Sequence, residues 1–275
     1  MDGVLPQISL GPYSVSRLIV GSNTINGGSH LSRFFNLQLR EYFTEERALA
    51  HLRRCEEVGI NTWQSGLVNL PLLNKHRAEG GRLQYISLAW DDPKEPDGLQ
   101  RLVAASPIGI AHHGEVTDRL YKEGRIHQVR EFCKRVRDTG VPVGVSTHMP
   151  AVVAHIEEHG WDVDFFMCCV YERHRTAEEL KALLGMVPLP DREVYLREDP
   201  PRMFEAMRHT PKPCLAFKIL AAGRLCDHAE SVTQAFRTTF AQIKRNDAVI
   251  VGMFPKYEDQ PAINAAHVRR FGGAA

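Results

Sequence analysis

The chain has 275 residues, with 34 lysines and arginines against 33 aspartates and glutamates, for a formal net charge of +1. So even a balance gives no electrostatic reason to expect nucleic acid or a membrane surface as partner, and points to small neutral or modestly charged ligands. No apolar stretch approaches the roughly 20 residues needed to cross a bilayer, and residues 1–10 lack the basic-then-apolar pattern of a leader. A cytoplasmic location is expected, with the oligomeric state left open.

Eight short apolar runs punctuate the chain, at residues 17–21, 59–63, 83–89, 107–111, 141–145, 163–167, 214–217 and 248–252. Helical spacing lies between most of them, as at 44–58, 123–139 and 151–159. This alternation predicts repeated βα units around a parallel sheet, and eight such units at this length predict an α/β fold, a single closed (β/α)8 (TIM) barrel spanning residues 1–275. Cys55, Cys133, Cys168, Cys169, Cys214 and Cys226 are dispersed, unlike a secreted disulfide framework, and most read as reduced packing residues. Three irregular stretches stand out. Residues 25–41 follow the first run and read as a pocket loop, and 90–97 follow the third. Residues 188–201 follow a helix, so packing on the lower face is as good a reading as a pocket role.

In such a barrel the working residues come from the C-terminal strand ends. The first run is followed by the Gly27-Gly28-Ser29-His30 loop, and the third by Trp90, Asp91 and Asp92, where Pro93 favours simple turn chemistry. Trp90 and Gln64 are expected on the pocket wall. After the fourth run come His112 and His113, and strand alternation lets only one of them face the pocket. His148 follows the fifth run. The sixth leads into Tyr171, Glu172, Arg173 and His174, where a solvated loop into a helix capped by Thr176 and Glu179 is the leading reading for Glu172, Arg173 and His174. Lys218 interrupts an otherwise apolar seventh run and must either reach the cavity or pair with a carboxylate, because an isolated buried ammonium is costly. Arg224, after Ala221-Ala222-Gly223, could meet a phosphate or carboxylate.

Leu10-Gly11-Pro12-Tyr13-Ser14-Val15-Ser16-Arg17-Leu18 with Val20-Gly21 resembles the opening of aldo-keto reductases, and Gly59-Ile60-Asn61-Thr62-Trp63 their second strand. Gly144-Val145-Ser146 with Pro150 is similar to their fifth strand and the helix after it, and residues 217–225 and 250–265 to the seventh and eighth units. The resemblance implies an aldo-keto reductase-like barrel lacking most of the catalytic tetrad. The family's Asp and Tyr positions read Gln64 and Asn69, no Lys follows the third run, and only the histidine persists, as His112 or His113. For a nicotinamide cofactor such as NADP it implies Ser146, Phe217 and Asn264. Without the phenol that donates the proton, ordinary reduction should not operate.

Three functional readings follow. The first is non-redox acid/base chemistry of lyase or isomerase type on a small polar carbonyl or sugar-like substrate. Its catalytic candidates are His112, His113, His148, Lys218 and Tyr171, its binding candidates Gln64, Trp90, Asp91 and Arg224. A divalent metal on His112 or His113, His148 and Glu172 is compatible with it, although no metal-binding spacing is present. The others are a nicotinamide-dependent oxidoreductase with a substitute proton donor such as His113 or Tyr171, and a ligand-binding barrel without catalysis.

Overall fold

The computed structural model describes residues 4–273; residues 1–3 of the supposed leader window, and residues 274–275, lie outside it. An antiparallel hairpin, β1 (Gln7–Leu10) and β2 (Tyr13–Ser16), comes first. The chain continues through β3 (Leu18–Gly21), α1 (Arg33–Tyr42), α2 (Glu45–Glu57), β4 (Thr62–Gly66), α3 (Leu70–Ala78), β5 (Gln84–Ala89) and α4 (Gly98–Ala104). Next are β6 (Gly109–His112), α5 (Gly114–Lys122), α6 (His127–Asp138), β7 (Val143–Thr147), α7 (Pro150–Glu158), β8 (Phe165–Cys169) and α8 (Ala177–Leu184). The last are α9 (Asp199–His209), β9 (Cys214–Phe217), α10 (Ala229–Gln242), β10 (Ala248–Val251) and α11 (Gln260–Phe271).

Strands β3 to β10 close a barrel in the order β10-β3-β4-β5-β6-β7-β8-β9, every pair parallel. Each apolar run of the sequence supplies one strand, because strands buried on both faces need no polar alternation. Two cores result. Trp63, Tyr85, Ile110, Val145 and Phe166 point outward into the helical layer, whereas Ile19, Ile86, Ala111, Phe165 and Leu215 fill the barrel. The Phe165 ring lies where a Cβ on Gly144 or Gly109 would collide with it, so these two glycines make room for the largest side chain of the inner layer. Ile8, Leu10 and Val15 of the hairpin join the same inner cluster, and β2 leads directly into β3, so the hairpin covers the N-terminal end. The other end is left for chemistry.

Residues 123–139, expected as one helix, cover only α6 and the turn before it, because α5 starts at once after His113. The Thr176–Glu179 cap forms as a reciprocal capping box at α8. Cys55, Cys133, Cys168, Cys169 and Cys214 are buried free thiols, and Cys226 is exposed. No helix among the described residues is long and apolar enough to cross a membrane.

Candidate active site at the barrel mouth

Strand alternation resolves the His112–His113 pair. Ile110 packs outward and Ala111 inward, so His112 turns outward again, where its Nδ1 lies 2.7 Å from Thr117 Oγ1 and its ring meets Phe132 edge-on at 5.1 Å. His112 is therefore a structural residue of the helical layer and not a pocket group. His113 is the rim residue. Its ring is 4.9 Å from that of Trp90, and its Nδ1 is buried without a hydrogen-bond partner among the described residues. Gln64 pairs in register with Ile86 and so faces the interior with it, its amide donating to the Ser65 carbonyl at 3.0 Å.

At the end of β7, Ser146 and His148 face inward and α5 presses close behind them. A Cβ on Gly114 would come within 2.9 Å of Ser146 Oγ and 3.1 Å of His148 Cε1, which is why the helix can begin there. This approach brings Asp118 of α5 to the rim, fully buried. Its carboxylate accepts the Thr147 hydroxyl, the His148 backbone N–H at 3.1 Å and His148 Nδ1–H at 2.7 Å. Burial alone would raise the Asp118 pKa, but the donors around it, His148 foremost, bring it down to about 2. Burial likewise lowers His148 to about 4, and Asp118 only partly offsets that. At neutral pH the pair is thus a carboxylate and a neutral imidazole, with the proton on Nδ1 assigned from its acceptor.

His174 joins them from the loop after β8. Its ring is 4.5 Å from that of His148, its Nδ1 is 3.9 Å from Asp118 Oδ2, and its Nε2 is 3.3 Å from Glu115 Oε1. Burial works against its charged form, yet hydrogen bonds to Asp118 and Glu115 leave its pKa raised. Arg173 is buried between Glu115 and Glu193, pairing with both. Glu193 also reaches His30 Nδ1 at 3.1 Å and accepts the Tyr195 hydroxyl at 2.9 Å. Residues 188–201, read from sequence as packing on the lower face as readily as a pocket segment, thus sit over the mouth against the 25–41 loop.

Lys218 follows β9 directly. Its ammonium makes no hydrogen bond or ion pair among the described residues, so a structural ion pair is not what holds it. Burial lowers its pKa to about 8; Arg173 adds to this, while Cys169, Glu193 and Glu115 oppose it. Arg173 is within electrostatic reach of both Lys218 and His148, so the two belong to one mouth. Lys218, His30 and Glu193 also share a left-handed backbone, with φ of 61°, 57° and 57°. Such strain in non-glycine residues collects where a site over-determines the backbone.

Several expected site residues lie elsewhere. Asp91 is exposed and pairs with Arg135 at 2.5 Å, and Asp92 makes the expected turn by accepting Lys94 N–H at 2.9 Å. Glu172 pairs with Arg175 at 3.2 Å and Arg202 at 2.9 Å, away from the histidines, so it is no metal ligand alongside them. Tyr171 packs against Tyr195, ring centroids 5.0 Å apart, and lines an outward groove with Phe204 and Ile219; burial pushes its phenol up to about 12. Arg224 stacks on Tyr195 at 4.1 Å and donates to the carbonyls of His30 and Glu193, bracing the two loops in place of a ligand. Of the cofactor positions, Ser146 is buried beneath His148, the Phe217 ring is 5.5 Å from that of His148, and Asn264 is buried on α11. Sequence reasoning passed over Asp118 and undervalued His174 and Arg173. The readable signal was Glu115 and Asp118, three residues apart, a spacing that puts both on one face of a helix beginning at Gly114.

The buried imidazoles make stability pH-dependent. His51 and His148 fall to about 4 and His112 to about 3, all chiefly by burial. Their folded pKa values lie below the unfolded one of about 6.5, so the unfolded chain takes up protons first. The contribution of these imidazoles is therefore complete above about pH 6.5 and is lost progressively as pH falls toward 4 and 3. Thermal midpoints measured from pH 7 to 4 should decline throughout; a flat profile would contradict these assignments.

No protein-family model and no curated protein matches the chain. Its structure is similar to a putative aldo-keto reductase from Pseudomonas aeruginosa, at 15% identity over 98% of this chain and 97% of that one, TM-score 0.59. It is also similar to a glycerol dehydrogenase from Gluconobacter oxydans (12% identity, 98% and 90% covered, TM-score 0.55). A phospho-2-dehydro-3-deoxyheptonate aldolase from Thermotoga maritima is similar too (12%, 97% and 72%, 0.54). The chain is a closed (β/α)8 barrel whose fold is similar to that of these aldo-keto reductase structures. At these identities the likeness is one of fold, and function rests on the site.

Proposed function

We propose that the mouth is the active site of an enzyme that moves protons on a small polar carbonyl or sugar-like substrate, as a lyase or isomerase does, without net redox change. The observation that carries this reading is an unpaired lysine sharing one mouth with two imidazoles gathered on a buried carboxylate. With a pKa of about 8, Lys218 has a neutral fraction at physiological pH and can take a proton from carbon. His148 and His174 serve the oxygen on which charge develops, and Trp90, 39% exposed, offers an apolar face to a ring. Arg173 is occupied by two carboxylates and Arg224 by backbone carbonyls, which favours a neutral or singly charged substrate over a multiply phosphorylated one.

Hydride transfer from NADP would need a proton donor beside the carbonyl oxygen. Gln64 and Asn69 stand at the positions that the resemblance gives to the family's acid and phenol, and their amides are spent on Ser65. Burial raises the pKa of Tyr171 and Tyr195, which makes these phenols poorer donors, so only the histidines already assigned to the oxygen remain. Incubation of hydroxy-ketones and ketoses in deuterium oxide should therefore incorporate deuterium beside the carbonyl, read by NMR, while simple aldehydes with NADPH give no oxidation of the cofactor. NADPH-linked turnover near the roughly 10 per second typical of enzymes would overturn this reading in favour of an oxidoreductase. Binding without exchange or turnover across the panel would leave a ligand-binding barrel.

A further inference from the structure

We infer that Asp118, His148 and His174 form a binding site for one divalent first-row transition-metal cation, an assignment that rests on the mouth being the working site. Their ligand-capable atoms all lie within 4.8 Å of one another. Asp118 Oδ2 stands between the two rings, 2.7 Å from His148 Nδ1 and 3.9 Å from His174 Nδ1. A cation held by nitrogen and oxygen at about 2.0–2.2 Å, with bond angles between octahedral and tetrahedral, separates its ligands by roughly 3.0–3.5 Å. The Asp118–His148 distance must open and the Asp118–His174 distance close by a few tenths of an ångström, and the two imidazoles, within 4.8 Å of each other, must close by up to about 1.5 Å, a rotation of side chains carried on two loops.

The surroundings hold the ligands as a metal site requires. Glu115 lies 3.3 Å from His174 Nε2 and holds that nitrogen as a donor, so a cation beside Asp118 would displace the Nδ1 protons that His148 and His174 otherwise direct to the carboxylate. The Thr147 hydroxyl donates to Asp118 Oδ1 and the His148 backbone N–H is shared between Oδ1 and Oδ2, at 3.3 and 3.1 Å, which fixes the carboxylate with Oδ2 toward the rings. The nearby positive charge of Arg173 is matched by Glu115 and Glu193. Two imidazoles and one carboxylate suit zinc, manganese, iron or cobalt better than calcium or magnesium, and three protein ligands leave a coordination position for substrate or water. Asp118, His148 and His174 would hold the cation, which would supply a Lewis acid to the substrate oxygen, and Lys218, outside the ligand set, would remain the base that takes the proton from carbon.

The test uses tag-free protein stripped with a chelator, titrated calorimetrically with zinc and followed by visible absorption with cobalt. One equivalent should bind, and the cobalt spectrum should report nitrogen and oxygen ligands. His174→Ala and Asp118→Asn should each lose at least 100-fold in affinity. His174 is part-exposed, so its variant should keep the wild-type circular dichroism spectrum. His155 and His159, stacked at 4.0 Å, are the competing histidine pair, and His159→Ala should bind as the wild type does. Failure to bind one equivalent, unchanged affinity in both ligand variants, or loss that follows His159 instead would overturn the assignment. Deuterium exchange by the stripped and the zinc-loaded protein separates the two claims: exchange without metal binding keeps the proton-transfer function and sinks the metal site, and one-equivalent binding with no exchange in either state does the reverse.

Discussion

Lys218→Met is expected to lower turnover by about 10²–10⁴-fold, the usual contribution of a positioned acid or base, with the thermal midpoint unchanged or slightly raised. Lys218 is part-buried at the rim, its ammonium without an ion pair or hydrogen bond among the described residues, so its removal strips no partner of compensation, and methionine keeps most of the apolar stem. Had Lys218 held a carboxylate, losing it would have cost about 3–5 kcal/mol through the stranded partner. Glu115 and Glu193 already pair with Arg173, which is why no such cost is expected. Thermal melts and exchange rates on the same preparation check both halves; an early-melting variant with normal turnover would reverse the assignment.

Asp118→Ala should be the most destabilising single change at the mouth. The carboxylate accepts from the Thr147 hydroxyl, the His148 backbone and the His148 ring, all buried, and alanine leaves these donors without an acceptor. At about 1–3 kcal/mol for each unsatisfied buried group, with relaxation recovering part of the sum, a loss of about 3–5 kcal/mol follows. For a chain of this size that is roughly 10 °C in the thermal midpoint. Turnover should fall at least 100-fold as well, because the Nδ1 proton that fixes the His148 ring loses its acceptor. Thermal melts of the variant measure the first effect, and a midpoint within 2 °C of wild type, roughly the effect of 1 kcal/mol, would show that the carboxylate is dispensable.

The eight strands were legible because each is a short apolar run buried on both faces, and a parallel barrel needs nothing else from its strands. Strand alternation also foretold that one of His112 and His113 would leave the pocket. Which one depended on where β6 ends and α5 starts, a boundary set by Gly114 packing on Ser146 and His148 from the next unit. Asp118 was missed for the same reason: it sits one turn into a helix and reaches the rim only through that close approach. Arg173 and His174 read as a solvated loop because their partners, Glu115, Glu193 and Asp118, lie 20 to 59 residues away in sequence. Spacing reports neighbours within an element, and a mouth built from several loops is assembled by contacts it does not encode.

The central claim is that Lys218 takes the proton, and the pH profile of deuterium exchange tests it most directly. The account predicts a rate that rises with pH to a plateau with an apparent pKa near 8, as Lys218 loses its proton, and no such limb in Lys218→Met. A profile in wild type that is already flat above about pH 6, or that keeps the same limb in the methionine variant, would contradict it.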